Sequence, residues 1–151
     1  MANAADFKKI AEARLSTVDT LIQAEDWDGA AYMMGFVLEC ALKAATCKTL
    51  KLTSYPENTR NKKTDSFFMT HVFDQLLTVS GLADTFSAQG PVSAFRNWSE
   101  FTKEYEGEWT AMRYDRDRLA QFDEIKVKHL YNNLKEVPDG VITRTFKYLD
   151  S

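Results

Sequence analysis

The sequence predicts an all-α fold, an up-and-down bundle of about four to five helices with a short C-terminal helix. A chain of 151 residues suits one domain, so residues 1–151 are expected to form a single helical domain. Six Gly and three Pro are too few for the many turns of a β-sandwich or barrel. One segment, from about Asp26 to Cys47, is apolar on nearly every side, and such a helix must be surrounded by protein.

The N-terminal half is predicted to contain three helices and one long loop. The first helix covers about residues 6–24, and Asp26 is a good N-cap for the second, so the two helices form an antiparallel hairpin. The polar residues 52–69 are predicted to be a long exposed loop. Thr70 is expected to cap the third helix, which ends at Gly81.

The C-terminal half is predicted to contain three more helices. Pro91 suits the first position of a helix. A longer helix follows from about Arg116 to Val137, and a short one from Val141 to Leu149 closes the chain. The residues of the longer helix expected to face inward are Leu119, Phe122, Val127, Leu130 and Leu134.

The apolar second helix has two further features. Gly29 and Gly35 lie inside it at a cost in helix stability, which indicates the close approach of a neighbouring backbone. Cys40 and Cys47 share one face about 10 Å apart, too far for a disulfide. Buried free thiols fit a reducing compartment. With no secretory signal at the N-terminus and no apolar run long enough for a bilayer, we expect a soluble, cytoplasmic protein without a membrane partner.

Basic residues are concentrated in one part of the chain. Positions 43–63 carry six basic residues and one acidic residue, although the net charge of the chain is −3. The net charge disfavours general nucleic-acid binding, but a local basic loop remains a candidate anion site. Its predicted binding residues are Arg60, Lys62 and Lys63.

Three sequence blocks resemble the HEPN superfamily, small helical bundles of prokaryotic defence and toxin–antitoxin systems. Residues 70–73 (Thr-His-Val-Phe) partly match a step that opens a later helix in one branch of that superfamily, and residues 109–114 (Trp-Thr-Ala-Met-Arg-Tyr) match a W-x-x-x-R-Y step. The first block is residues 27–44, WDGAAYMMGFVLECALKA, whose matching positions are Trp27, Ala30, Tyr32, Gly35, Phe36, Glu39, Leu42 and Lys43.

The resemblance implies a helical bundle that forms a homodimer. Many members of the superfamily are metal-independent endoribonucleases. Others bind nucleotides, or pair as toxin or antitoxin with small nucleotidyltransferases. No cofactor is implied, and the sequence has neither metal-ligand spacing nor a phosphate-binding glycine loop.

The usual nuclease motif of that superfamily, an Arg and a His a few residues apart, is absent. Ten residues separate Arg60 from His71, and ten separate Arg118 from His129. On one helix the second pair would stand about 16 Å apart, too far to hold one phosphate. Catalysis by this chain is therefore an open question at the level of sequence.

A substitute catalytic site is predicted from His71, Arg113 and Tyr114, if the bundle brings their helix ends together. Arg would hold a phosphate bidentately, Tyr would donate to it, and His would bind an anion or act as base. The alternative is structural: Arg113 pairs with an acid such as Glu39, while His71 and Tyr114 cap and pack.

Other polar and aromatic residues also have two interpretations. Glu39 and Lys43, one turn apart on an apolar helix, form a structural pair or line a ligand cleft. His129 lies in an apolar stripe and is expected to be a satisfied core or interface residue. Trp109, with Trp27 and Trp98, is expected in the core or at a dimer contact, with base stacking as the functional alternative for a binding residue.

Three hypotheses follow. The first is a homodimeric HEPN-like protein that binds RNA or nucleotide, with ribonuclease activity from a non-standard site. The second is a non-catalytic interaction module for a nucleotidyltransferase or another defence partner. The third is a nucleotide sensor that uses Lys43, Arg113 and Tyr114.

Overall fold

The computed structural model describes residues 2–151, and its elements confirm the all-α prediction. Within those residues the chain forms eight α-helices, two 3-10 segments and no strand. The 3-10 segments are Lys103–Tyr105 and Trp109–Tyr114. The helices are α1 (Ala4–Gln23), α2 (Trp27–Leu50), α3 (Lys62–Phe68), α4 (Phe73–Ser80), α5 (Val92–Thr102), α6 (Arg116–Leu119), α7 (Glu124–Lys135) and α8 (Val141–Leu149).

The first two helices begin at well-formed caps. The Asn3 side chain accepts a hydrogen bond from the Asp6 backbone N–H at 2.9 Å, and the Asp6 carboxylate accepts one from the Asn3 N–H at 3.0 Å. This reciprocal pair is a capping box. The predicted N-cap of α2 is confirmed, since Asp26 accepts from the Gly29 N–H at 3.1 Å. α1 and α2 share the most extensive helix contact in the bundle.

Helix α2 is the core of the fold. It contacts α1, α4, α7 and α8 and runs to Leu50, one turn past the predicted end, before Lys51 closes it with a φ of 55°. Its length and composition would allow a membrane span, but 78% of its most apolar window is buried inside the protein. The apolar surface of α2 is therefore covered by the chain's own helices, as its sequence pattern predicts.

The close approach expected at Gly35 involves aromatic rings instead of a backbone. A Cβ atom at this position would lie 2.9 Å from Cε1 of Tyr105 and 2.9 Å from Cζ3 of Trp109. The Tyr105 hydroxyl also donates a hydrogen bond to the Ala31 carbonyl at 2.6 Å. The missing side chain thus lets residues 103–114 lie directly on α2.

The prediction of one long exposed loop over residues 52–69 is wrong in two respects. Its second half forms α3, where the Asn61 side chain accepts from the Thr64 N–H at 3.1 Å. Its first half contains the buried Tyr55, whose hydroxyl donates to the Phe68 carbonyl at 2.6 Å. The helix escapes detection because its apolar face is only two phenylalanines long.

Helix α4 begins and ends close to the predicted positions. The predicted cap at Thr70 is wrong by two positions, because the N-cap is Val72, which makes no side-chain cap hydrogen bond. Thr70 Oγ1 instead accepts from the Val72 N–H at 3.0 Å. The predicted end at Gly81 is confirmed, and its φ of 87° is the left-handed conformation that glycine adopts without strain.

The long helix predicted over residues 116–137 is two helices, α6 and α7, and this is a correction. Asp115 caps the first and Asp123 caps the second, and the turn between them buries Phe122. Two aspartate caps eight residues apart interrupt the apolar period. The C-terminal helix is confirmed from Val141 to Leu149.

Candidate functional site

The best-formed polar cluster of the molecule lies where α4 meets the middle of α2. Glu39 is only 5% exposed, and its two carboxylate oxygens contact different partners. Oε1 lies 2.8 Å from His71 Nδ1, and Oε2 lies 3.3 Å from Lys43 Nζ. The predicted Glu39–Lys43 pair is therefore confirmed, and the structure adds His71 to it.

This contact determines how the imidazole of His71 is oriented. A carboxylate only accepts hydrogen bonds, so Nδ1 of His71 is the donor toward Glu39. In the neutral ring the proton on Nδ1 leaves Nε2 as the acceptor, and Nε2 makes no hydrogen bond to residues 2–151. The side chain of His71 is 41% exposed. Its free nitrogen is therefore available to a ligand.

Lys43 is enclosed by aromatic rings rather than by water. Its ammonium lies 5.2 Å from the ring centre of Tyr55 and 5.9 Å from that of Phe7. These contacts are cation–π interactions, and they hold the charge beside Glu39. Burial raises the pKa of the adjacent Cys40 thiol to about 12, and the Glu39 carboxylate adds to the effect. This thiol remains protonated and is not a nucleophile.

Arg113 and Tyr114 belong to the 3-10 segment Trp109–Tyr114, and Arg113 contacts a different part of α2. Arg113 donates to the Tyr32 hydroxyl at 3.3 Å, so the alternative in which it pairs with Glu39 is wrong. The ring of Tyr114 lies 4.9 Å from the Arg113 guanidinium carbon and is 82% exposed. Both side chains are exposed, and Arg113 lines a cavity of about 370 Å³ together with the carboxylates of Asp26 and Asp28.

His71 and Arg113 share one face of α2 but do not touch. Their partners, Glu39 and Tyr32, are seven residues apart, which is two helical turns or about 10 Å. Lys43 is one turn further still. A single phosphate cannot contact Lys43 and Arg113 together, so the nucleotide-sensor arrangement is not assembled within one chain. Joint action of His71 with Arg113 on a longer ligand stays a prediction.

Trp109 is fully buried, which confirms its expected place in the core and makes the base-stacking alternative wrong. The ring stacks on Phe73 with centres 5.8 Å apart and contacts Tyr32 at 5.2 Å. Its Nε1 has no hydrogen-bond partner within residues 2–151. Trp109 packs beneath both polar clusters. It contacts Tyr32, which accepts the hydrogen bond from Arg113, and it contacts Phe73, which lies two residues after His71.

Fewer basic residues of the segment 43–63 are unpaired in the structure than the sequence suggests. Lys48 donates to the Tyr148 carbonyl and, at 2.8 Å, to the Ser151 carbonyl, so its charge is occupied at the C-terminus. Arg60, Lys62 and Lys63 are exposed, and none forms a salt bridge in the described part of the chain. Lys62 and Lys63 line an open groove of about 460 Å³ with Ser66, Phe67 and Gln75.

His129 is not a core residue, which corrects its prediction. Its side chain is 58% exposed, and Nε2 lies 2.9 Å from Glu100 Oε1 on the neighbouring α5. A hydrogen bond from Asn133 and a second from His129 lower the pKa of Glu100. Each histidine of the chain is therefore paired with a glutamate, but only His71 uses a buried one.

The sequence predicted Glu39 and Lys43 as a pair and His71 as a separate site residue, but not the contact between His71 and Glu39. The i,i+4 spacing identified Glu39 with Lys43, whereas His71 is 32 positions away and no local pattern links it to Glu39. No group of three or more His, Cys, Asp or Glu side chains within residues 2–151 is placed to hold a metal ion.

Comparisons of the chain with models of known families, with curated proteins and with solved structures found no match. The fold and the site define a helical-bundle protein with a histidine oriented by a buried glutamate. Its assignment to the HEPN superfamily stays a prediction from the three sequence blocks.

Proposed function

We propose that this protein is a HEPN-like ribonuclease of a prokaryotic or phage defence or toxin–antitoxin system, acting on RNA through a non-standard site. The observation that carries the proposal is the 2.8 Å contact between Glu39 Oε1 and His71 Nδ1. A buried carboxylate that orients a partly exposed imidazole is an arrangement that recurs where histidine acts as a general base.

In the proposed reaction, His71 acts first as base. Its Nε2 takes the proton of a ribose 2′-hydroxyl, and the 2′-oxygen attacks the adjacent phosphorus. The bond from phosphorus to the 5′-oxygen breaks, the leaving oxygen takes a proton from a water molecule, and a 2′,3′-cyclic phosphate remains. The hydroxide left by that water takes the proton back from the His71 imidazolium, which restores the neutral ring. Glu39 stabilises the imidazolium that forms. General base catalysis of this kind contributes roughly 10²- to 10⁴-fold to a rate.

Arg113 is proposed as a contact for a neighbouring phosphate of the same strand. Its partner Tyr32 lies about 10 Å along α2 from Glu39, the partner of His71, and the Arg113 guanidinium is exposed next to Tyr114. Arg presents paired donors that match phosphate oxygens. The family resemblance adds a homodimer, in which the sites of two chains combine, and a cytoplasmic location.

A cleavage assay on a single-stranded oligoribonucleotide with excess chelator tests the proposal. His71→Ala is expected to reduce the rate by at least about 100-fold. His129→Ala is the matched control, because His129 also contacts a glutamate, at 2.9 Å, but neither His129 nor Glu100 is buried. Equal rates for His71→Ala and wild type, or no cleavage and no binding by wild type, would reject the ribonuclease.

A non-catalytic interaction module is the second candidate, and the exposed apolar side chains favour it. Val92 and Phe95 lie one turn apart on α5, and Val137 follows α7 at the end that lies beside the start of α5. Such a patch is suited to a protein partner, for example a nucleotidyltransferase or an antitoxin. Val92→Asp with Phe95→Ser is expected to abolish a defined complex with the product of a neighbouring gene. An unchanged complex contradicts this alternative.

A further inference from the structure

The groove between α3 and α4 combines positive charge with an exposed aromatic ring. Lys62, Lys63, Ser66 and Phe67 of α3 line one side, and Gln75 of α4 lines the other. Its lining has two lysines and no carboxylate. Two acids adjoin the lining residues in sequence. Asp65 is engaged by Thr59, whose backbone N–H and hydroxyl each donate to it at 2.8 Å. Asp74, next to Gln75, is exposed and forms no salt bridge within residues 2–151.

The aromatic ring in this groove is held in place from below. Phe67 is 39% exposed and packs edge-on against Phe68, with ring centres 5.1 Å apart. Phe68 packs in turn against the buried Tyr55 at 5.6 Å. Phe67 is thus a supported flat surface at the protein–water boundary, and it lies beside two cations without salt-bridge partners.

We propose that this groove binds single-stranded RNA, with one base stacked on Phe67 and the flanking phosphates on Lys62 and Lys63. Charge complementarity identifies the occupant, because the chain carries a net charge of −3 while this groove is positive. A polyanion is attracted here and repelled by the remainder of the surface. Stacking requires an unpaired base, so the groove selects single strands over duplexes.

The position of the groove relates it to the proposed catalytic site. His71 lies on the connection between α3 and α4, four residues after Phe67 and four before Gln75, which line the groove from α3 and from α4. The connection that carries His71 therefore joins the two helices of the groove, and the proposed strand runs from the groove toward it. This inference rests on the proposed function and adds to it the path and the single-stranded nature of the substrate.

Fluorescence anisotropy with a labelled 12-nucleotide RNA, at several salt concentrations, tests the inference on the full chain. The same sequence as a duplex and as single-stranded DNA provides the comparison. The duplex is expected to bind more weakly than the single-stranded RNA. The ratio of RNA to DNA affinity shows whether the 2′-hydroxyl adds to binding, and tighter binding of the DNA overturns the assignment to RNA.

Variants separate the two parts of the groove. Lys62→Gln with Lys63→Gln is expected to reduce the slope of log affinity against log salt by about 1.4, that is, about 0.7 for each lost phosphate contact. Lys9→Gln with Lys147→Gln, which removes the same charge from exposed positions of α1 and α8, is expected to leave that slope unchanged. Phe67→Ala is expected to weaken binding roughly 5- to 150-fold, and Phe67→Trp to retain it.

The outcomes distinguish failure of this inference from failure of the proposed function. If RNA binds wild type and all groove variants equally, or if both lysine pairs change the salt slope alike, the groove is not the binding site. The proposed function then stands on the cleavage assay of His71→Ala alone. If wild type neither binds nor cleaves RNA, both proposals are overturned.

Discussion

Glu39 lies in the middle of a helix whose other inward-facing side chains are almost all apolar. Its carboxylate binds the Lys43 ammonium on one oxygen and the His71 ring on the other. A buried charge without partners is costly, and two partners compensate for that cost. The position of His71, and with it the proposed chemistry, depends on this one carboxylate.

Replacing Glu39 tests the coupling within the cluster. Glu39→Gln leaves Lys43 as a nearly buried cation without its counter-charge and is expected to destabilise the fold by about 3 kcal/mol. Adding Lys43→Met removes that cation and is expected to restore more than about 1 kcal/mol. Urea unfolding of the single and double variants provides the free energies. Strictly additive effects would contradict the proposed coupling.

Asp139 gives a second test at a single residue, through pH. Hydrogen bonds from the Ser93 hydroxyl and from Arg144, whose Nε lies 2.8 Å away, lower the pKa of Asp139 from 3.8. A lowered carboxylate pKa contributes stability above pH 3.8 that is lost as the pH falls through the folded-state value.

The stability advantage of wild type over Asp139→Asn is therefore expected to shrink between about pH 6 and about pH 3. Urea midpoints of the two proteins at both pH values measure it. An advantage that stays constant or grows toward acid pH is the contrary result.

Contacts of the site between residues close in the sequence were predictable, and contacts between distant residues were not. The pair Glu39 and Lys43 was predictable because both lie on one turn of one helix. The contact of Glu39 with His71 was not, because it joins α2 to the start of α4. The contact of Arg113 with Tyr32 likewise joins distant parts of the chain, and sequence reasoning chose Glu39 as its partner instead.

At the scale of elements, α2 positions both polar clusters because the segment 103–114 can lie close against it. Gly35 permits this approach, since the rings of Tyr105 and Trp109 occupy the space that a Cβ atom would need. Both rings are buried and enclosed by other core residues, so neither can move aside without cost. The position of Arg113 follows from this packing.

Gly35→Ala is expected to lower the free energy of unfolding by about 1 to 3 kcal/mol, because overpacking outweighs the better helix propensity of alanine. Thermal and urea unfolding measure the change. A control variant is Ala13→Gly on the exposed face of α1, which changes helix propensity alone. Unchanged or higher stability of Gly35→Ala would show that the two rings have room to adjust.

Helices with a long apolar pattern were predicted, and the two shortest helices were not predicted as separate elements. The long apolar α2 and the amphipathic α1 and α8 were evident, since many residues repeat the helical period. The seven-residue α3 was missed, and α6 with α7 was joined into one helix, because short segments offer few repeats and their ends depend on single caps such as Asp123.

In the whole molecule, a buried carboxylate, an oriented imidazole and a positive groove lie on the α3–α4 side of a protein whose net charge is −3. These parts meet only in the folded bundle, because α2, α3 and α4 bring residues from different parts of the chain together. His71 contacts the carboxylate and lies on the connection between the two helices of the groove, and His129 provides an internal reference elsewhere on the surface.

The most direct test of the central claim is a titration of the two imidazole rings, observed by NMR of histidine-labelled protein. The ligand is a 2′-O-methyl oligoribonucleotide, which lacks the attacking hydroxyl and therefore stays intact. His129→Ala assigns the two ring signals. If His71 is the proposed base, RNA is expected to change the chemical shifts of the His71 ring and to leave those of the His129 ring unchanged. RNA binding that leaves His71 unchanged, or that shifts both rings alike, would contradict that role of His71.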